Sequence, residues 1–121
     1  MTTFFTADNH FGHANIIRYC NRPFQSVEEM DETMIANRNE VVGHDDIVYD
    51  LADFTLGNKL TARRYFSRLN GQTRVLCNPW HHDKRWLGGE YYSRSGGVEY
   101  MKSIVILEYD PPIVLCHYPF A

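Results

Sequence analysis

Cysteine is scarce in this chain. Cys20, Cys77 and Cys116 are odd in number, far apart and without a Cys-x-x-Cys pair, which argues against a disulfide framework or a cysteine-rich zinc module and predicts reduced thiols. No apolar run approaches the roughly 20 residues of a membrane helix, and no signal peptide opens the chain, so a cytoplasmic location without a membrane partner is expected. Charge of one sign is also scarce. A net charge of -3 gives no strong grip on nucleic acid or anionic lipid, and leaves only a local basic patch for nucleic acid. Repeats, linkers and low-complexity stretches are missing. What is present is ordinary, 44% hydrophobic and 22% charged residues, and 121 residues form one domain, 1–121, with a core of its own.

The stretch from Thr2 to His13 organises the rest. Residues of high β propensity run into Asp8, and His10, Gly12 and His13 follow. Side chains alternate along a strand, so Asp8 and His10 point the same way if the extended geometry lasts just past the strand's end. A carboxylate and an imidazole suit Zn, Mn, Fe or Ni better than the oxygen-seeking Ca or Mg.

Further along, 13–20 reads as a short helix broken by Asn21-Arg22-Pro23-Phe24. Ser26-Val27-Glu28-Glu29 is a capping box opening a helix from Val27 to Val41, with Met30, Met34, Ile35, Val41 and Val42 supplying the period. A second strand, 47–52, ends in Asp53. A helix over 60–69, stopped by Asn70-Gly71, leads to a third strand over 73–77. Asn78-Pro79-Trp80-His81-His82-Asp83 follows, a polar loop rich in ligand types. The stretch 84–97 reads as loop with at most a helical turn. Residues 103–109 and 113–116 form an antiparallel hairpin whose last strand delivers His117.

Strands alternating with helices predict an α/β fold with a largely parallel sheet, in which ligands gather at the carboxyl ends of strands. Those ends carry Asp8 and His10, Asp53, Asn78 with His81-His82-Asp83, and His117. One carboxylate can bridge two cations while Asp, His and Asn fill the other positions. Two metals about 3.5–4 Å apart clamp a phosphoryl oxygen and activate a water, which makes phosphoester hydrolysis the expected reaction. A histidine that is not a ligand can protonate the leaving oxygen, and a neighbouring Asp can hold its tautomer.

The ordered set Asp8-Asn9-His10, Leu51-Ala52-Asp53, Asn78 to Asp83 and Cys116-His117 resembles the motifs of the calcineurin-like metallophosphoesterases, most closely their short prokaryotic and phage-type members. The resemblance covers nearly the whole chain. It implies an α-β-β-α sandwich with a mixed sheet, here short at the C-terminus, and two divalent ions, drawn from Mn, Zn, Fe and Ni. Carried over, Asp8 and His10 would hold the first metal, Asp53 would bridge, and His117 would serve the second. Asn78, or else His81, would fill the third-motif position, and His82 would be the leaving-group acid with Asp83 as its orienting partner. His13 either lines the phosphate pocket or caps the following helix, and Lys84 and Arg85 are candidates for substrate phosphate. Arg63, Arg64 and Arg68 read as a solvated helix face, His44 as a surface residue, Asp50 as structural, and Trp80 and Trp86 as loop anchors.

Three departures from that pattern stand out. Ala52 replaces the family's usual Gly, a small change at negative φ and a strained one at positive φ. Asp50 sits where close relatives often show His. The sequence ends at Ala121 before any Gly-His-x-His motif, so the expected site has two ligands fewer, completed by water, by a partner chain or not at all. The alternative function is a non-catalytic binding or scaffold relative, or a fragment. An exposed sheet edge makes self-association an expectation, and the substrate is a small-molecule or nucleotide phosphoester.

Overall fold

The Thr-Phe run forms β1 (Thr3–Thr6) in the computed structural model, which describes residues 1–76 and 82–117. A short helix α1 (Asn15–Tyr19) and the long α2 (Val27–Val41) follow. Ser26, in extended geometry, accepts from the Glu29 amide at 3.1 Å, and Glu28 and Glu29 place negative charge at the helix's positive end. The return half of the capping box differs from expectation, because Glu29 reaches the Gln25 amide (3.4 Å) one residue upstream of Ser26. Val41, expected on the inner face, is exposed, and Val42 takes the buried position after the helix ends.

Strand β2 (Ile47–Asp50), helix α3 (Lys59–Phe66) and strand β3 (Gln72–Leu76) complete the alternation. Asn58 caps α3 by accepting from the Thr61 amide at 3.1 Å. Gly71 makes the turn into β3 at φ +98, and a Cβ there would lie 2.7 Å from a Val42 methyl and 3.0 Å from a Val48 methyl. Only glycine combines that backbone with that approach.

The remaining elements are short. A 3-10 helix (His82–Arg85) precedes β4 (Tyr92–Ser93), β5 (Gly96–Gly97) and β6 (Glu99–Met101). The loop expected over 84–97 thus holds a tiny β4–β5 hairpin, too short to carry a period in the sequence. Strand β6 then joins the sheet unforeseen, because three residues cannot show alternation. Strands β7 (Ile104–Leu107) and β8 (Ile113–Cys116) form the antiparallel hairpin, paired Ile104 to Cys116 and Leu107 to Ile113.

The main sheet has the order β1-β2-β3-β6 and is parallel throughout. The expectation of a mixed sheet is corrected: among the described residues, antiparallel pairing is confined to the β4–β5 and β7–β8 sheets. Adjacent β3 residues face opposite sides. Val75 joins Ile35 of α2 and Ala62 and Phe66 of α3, with Phe11, Phe54, Leu69, Trp86 and Tyr91, in the larger core. Leu76 joins Tyr49 and Leu115, so the β7–β8 hairpin covers the other face. Phe54 and Phe66 stack with centroids 3.9 Å apart, and each buried ring stabilises by roughly 1.5–3 kcal/mol. Among the described residues no helix is long and apolar enough to cross a membrane.

Candidate metal centre

Parallel pairing of β1 with β2 continues beyond the strand ends. The amides of Asp8, His10 and Phe11 donate to the carbonyls of Ala52, Asp53 and Phe54 at 2.9–3.0 Å, zipping two turns side by side. Asp8 (φ +55), His10 (φ +55), Ala52 (φ +92) and Asp53 (φ +56) all lie in the left-handed region. This corrects the alternation argument. Extended geometry does not persist past Thr6, and Asp8 and His10 converge because both are turned in a left-handed backbone locked against the second turn. It also decides the matter of Ala52, which takes a conformation costing a non-glycine residue on the order of 1–3 kcal/mol.

Asp8, His10 and Asp53 each offer a ligand atom within 4.8 Å of the others, with Asp8 exposed and the other two buried. His10 Nε2 lies 3.7 Å from Asp53 Oδ2. His117, delivered by β8 from the hairpin layer, puts its Nε2 3.4 Å from the same oxygen and 3.9 Å from Asp8 Oδ1. Asp53 Oδ2 therefore faces two imidazole nitrogens supplied by two different sheets.

Hydrogen bonding sets the orientation of the His117 ring. Its Nδ1 is 2.7 Å from the Leu51 carbonyl, which can only accept, so Nδ1 donates there and Nε2 is the ring nitrogen turned toward the carboxylates. A ring N–H donated to a backbone carbonyl is the usual support of a metal-ligating histidine. For His10, burial lowers the pKa against the opposing pull of Asp53, favouring the neutral ligating form. Its Nδ1 meets His13 Nδ1 at 3.3 Å. His13 is not the helix cap, since Ala14 stands at that position without a side-chain bond, and its ring packs against His10.

Residues given no site role by the sequence hold the first turn in place. Arg22 donates to the carbonyls of Asp8 (2.7 Å) and Asn9 (2.9 Å). Asp31 accepts from the Gly12 amide (3.0 Å) and the Tyr65 hydroxyl (2.6 Å). Neither carries a motif, and partners so far apart in sequence leave no local signal.

Asp83 is expected to orient His82, whose side chain lies outside the described residues; the described bonds of Asp83 run elsewhere. Its carboxylate is fully buried and accepts from the amides of Asp53 (2.7 Å) and Phe54 (2.9 Å) and from the Trp86 indole (2.9 Å). Three donors from a neighbouring turn and a core ring claim both oxygens. Trp86 is a core anchor, as expected. The His82 backbone opens the 3-10 helix, on which Lys84 and Arg85 are exposed. Asn78 and His81, the alternatives for the third-motif ligand, and Trp80 lie outside the described residues. His44 is exposed and Asp50 is completely buried.

Comparison with known proteins adds kinship without chemistry. The chain is 51% identical over 80 residues to an uncharacterized protein of Methanocaldococcus jannaschii, covering 64% of this chain and 44% of that one. It is 31% identical over 99 residues to the gene 66 protein of Mycobacterium phage L5, covering 74% and 47%. The chain thus spans about half the length of the curated relatives it matches. A crystal structure of an Aquifex aeolicus protein of unknown function superposes with a TM-score of 0.69 at 23% identity, covering 98% of this chain and 62% of that one, which shows a shared fold. No protein-family model matches the chain.

Proposed function

We propose that this chain is a metal-dependent phosphoesterase of the calcineurin-like kind, its helix, sheet and hairpin layers forming three of the four layers of an α-β-β-α sandwich. The observation that carries the reading is the Asp53 carboxylate oxygen facing His10 Nε2 at 3.7 Å and His117 Nε2 at 3.4 Å. A carboxylate between two imidazoles, one with its far nitrogen bonded to a carbonyl, is a donor set suited to divalent cations. Asp8 and His10 would hold one ion, His117 with Asn78 or His81 the other, and Asp53 both. Bound ions of this kind polarise a phosphoryl oxygen and supply a nucleophilic oxygen at neutral pH.

The chain's own residues do the rest. The zipped turns fix Asp8, His10 and Asp53 before substrate arrives, so little reorganisation is left for the reaction. His82 is assigned the proton for the departing oxygen, and Lys84 and Arg85, on the same 3-10 helix, the charge of the substrate phosphate. The substrate is a phosphomonoester or phosphodiester, as a small molecule or nucleotide.

A second reading is a non-catalytic metal-binding relative. It is favoured by the single compact group of Asp8, His10 and Asp53 among the described residues. Elemental analysis with hydrolysis of p-nitrophenyl phosphate and bis-p-nitrophenyl phosphate, with and without manganese, separates the two. The phosphoesterase reading expects manganese-stimulated turnover that Asp53→Asn lowers at least a hundredfold together with metal binding. A folded, metal-loaded protein inert toward both esters would move the assignment to the second reading.

A further inference from the structure

Asp83 is a carboxylate that accepts from three donors. It is fully buried, lies 30 positions from Asp53 in sequence, and spends its oxygens on the turn that presents Asp53. That turn contains two consecutive non-glycine residues at positive φ, Ala52 (+92) and Asp53 (+56). Such a backbone persists only where the surroundings over-determine it. On one side the Asp8 and His10 amides bind the Ala52 and Asp53 carbonyls. On the other, the Asp83 carboxylate takes the Asp53 and Phe54 amides, so both faces of the strained turn are tied down. The Trp86 indole, itself 1% exposed, fixes Asp83 in turn.

We propose that Asp83 is a positioning residue, whose carboxylate holds the Ala52-Asp53-Phe54 turn in its left-handed form and thereby aims the Asp53 side chain at the metal position. The inference rests on the metal-centre reading above. It gives Asp83 a role toward the ligand turn that the sequence alone does not suggest. It also explains how Ala52 is tolerated at a φ that glycine would adopt freely.

Substitution Asp83→Asn discriminates sharply, because any orientation of the amide leaves at least one of the three donors facing an NH2 group. In manganese titrations of the full chain, followed by electron paramagnetic resonance, Asp83→Asn should weaken binding at least tenfold while the far-ultraviolet circular dichroism stays that of the parent. Ala52→Gly in the Asp83→Asn protein should recover at least threefold of that loss, since a turn without strain needs less holding. Ala52→Gly alone should change affinity by less than twofold. Where Asp83→Asn does not fold, Asp83→Glu, which keeps the charge and displaces the acceptors by one methylene, is read by the same criterion.

Wild-type affinity in a folded Asp83 variant overturns the inference, as does failure of Ala52→Gly to recover any affinity. If the parent chain itself binds no manganese, it is the metal-centre reading that fails, and the proposal with it.

Discussion

Asp50 shows how one buried side chain sets a pH response. It ends β2, accepts from the Ala52 amide at 3.1 Å through Oδ1, and keeps Oδ2 buried without a partner among the described residues. Burial pushes its pKa up to about 7, with the nearby Arg38 guanidinium pulling the other way. Its folded pKa therefore lies above its unfolded value of 3.8. The stability contributed by the protonated form is complete below the unfolded pKa and is lost as pH rises through about 7. Asp50→Asn, neutral at every pH and still able to accept from Ala52, should flatten that decline and exceed the parent's stability at pH 8, by on the order of 1 kcal/mol. Urea midpoints measured from pH 4 to 8 check it, and a variant that loses stability more steeply than the parent would contradict it. The sequence places Asp50 inside the second strand as a structural residue and gives no sign of its perturbation. Its perturbation comes first from burial, which depends on the packed fold, and is moderated by the charge of Arg38 on α2, a side chain held by Thr73 at 2.8 Å and the Asn70 carbonyl at 3.2 Å.

At the level of elements, β8 links core packing to the candidate centre. Leu115 is buried against Tyr49 and Leu76, and two residues later His117 meets Asp53. Leu115→Ala should cost about 2–4 kcal/mol and also weaken manganese binding, because the cavity loosens the strand that aims His117. Thermal unfolding and metal titration on one preparation measure both, and a destabilised variant with unaltered affinity would show that β8 is held by its backbone pairing alone. Elements with long periods were legible beforehand. Helix α2 runs over the expected residues because Ser26 and fifteen residues of pattern announce it, and the β7–β8 hairpin is bracketed by Asp110-Pro111-Pro112. Strands β4, β5 and β6 were not legible, since two or three residues carry no alternation and their pairing is decided by neighbours. The site divides the same way. Asp8, His10, Asp53 and His117 follow from the rule about strand ends, whereas Arg22, Asp31 and Asp83 act on backbone amides and carbonyls that no residue code reveals.

Seen as one molecule, the protein brings Asp8, after its first strand, and His117, after β8, to a single point, one through the parallel sheet and one through the hairpin layer. Any cation held there binds the folded chain and has no preformed site in the unfolded one. It should raise the unfolding free energy by about 2.7 kcal/mol at a hundredfold excess over Kd, read as an increase in Tm with manganese that Asp53→Asn abolishes. The wide separation of Asp8 from His117 also governs the order of events in folding. Closing a loop of this length is entropically costly, and contacts that need it form late. An ion at this centre should therefore act on the escape from the native state, slowing unfolding in stopped-flow experiments while leaving the refolding rate where it was. The centre would then set the lifetime of the fold, a clasp fastened only after the garment is on.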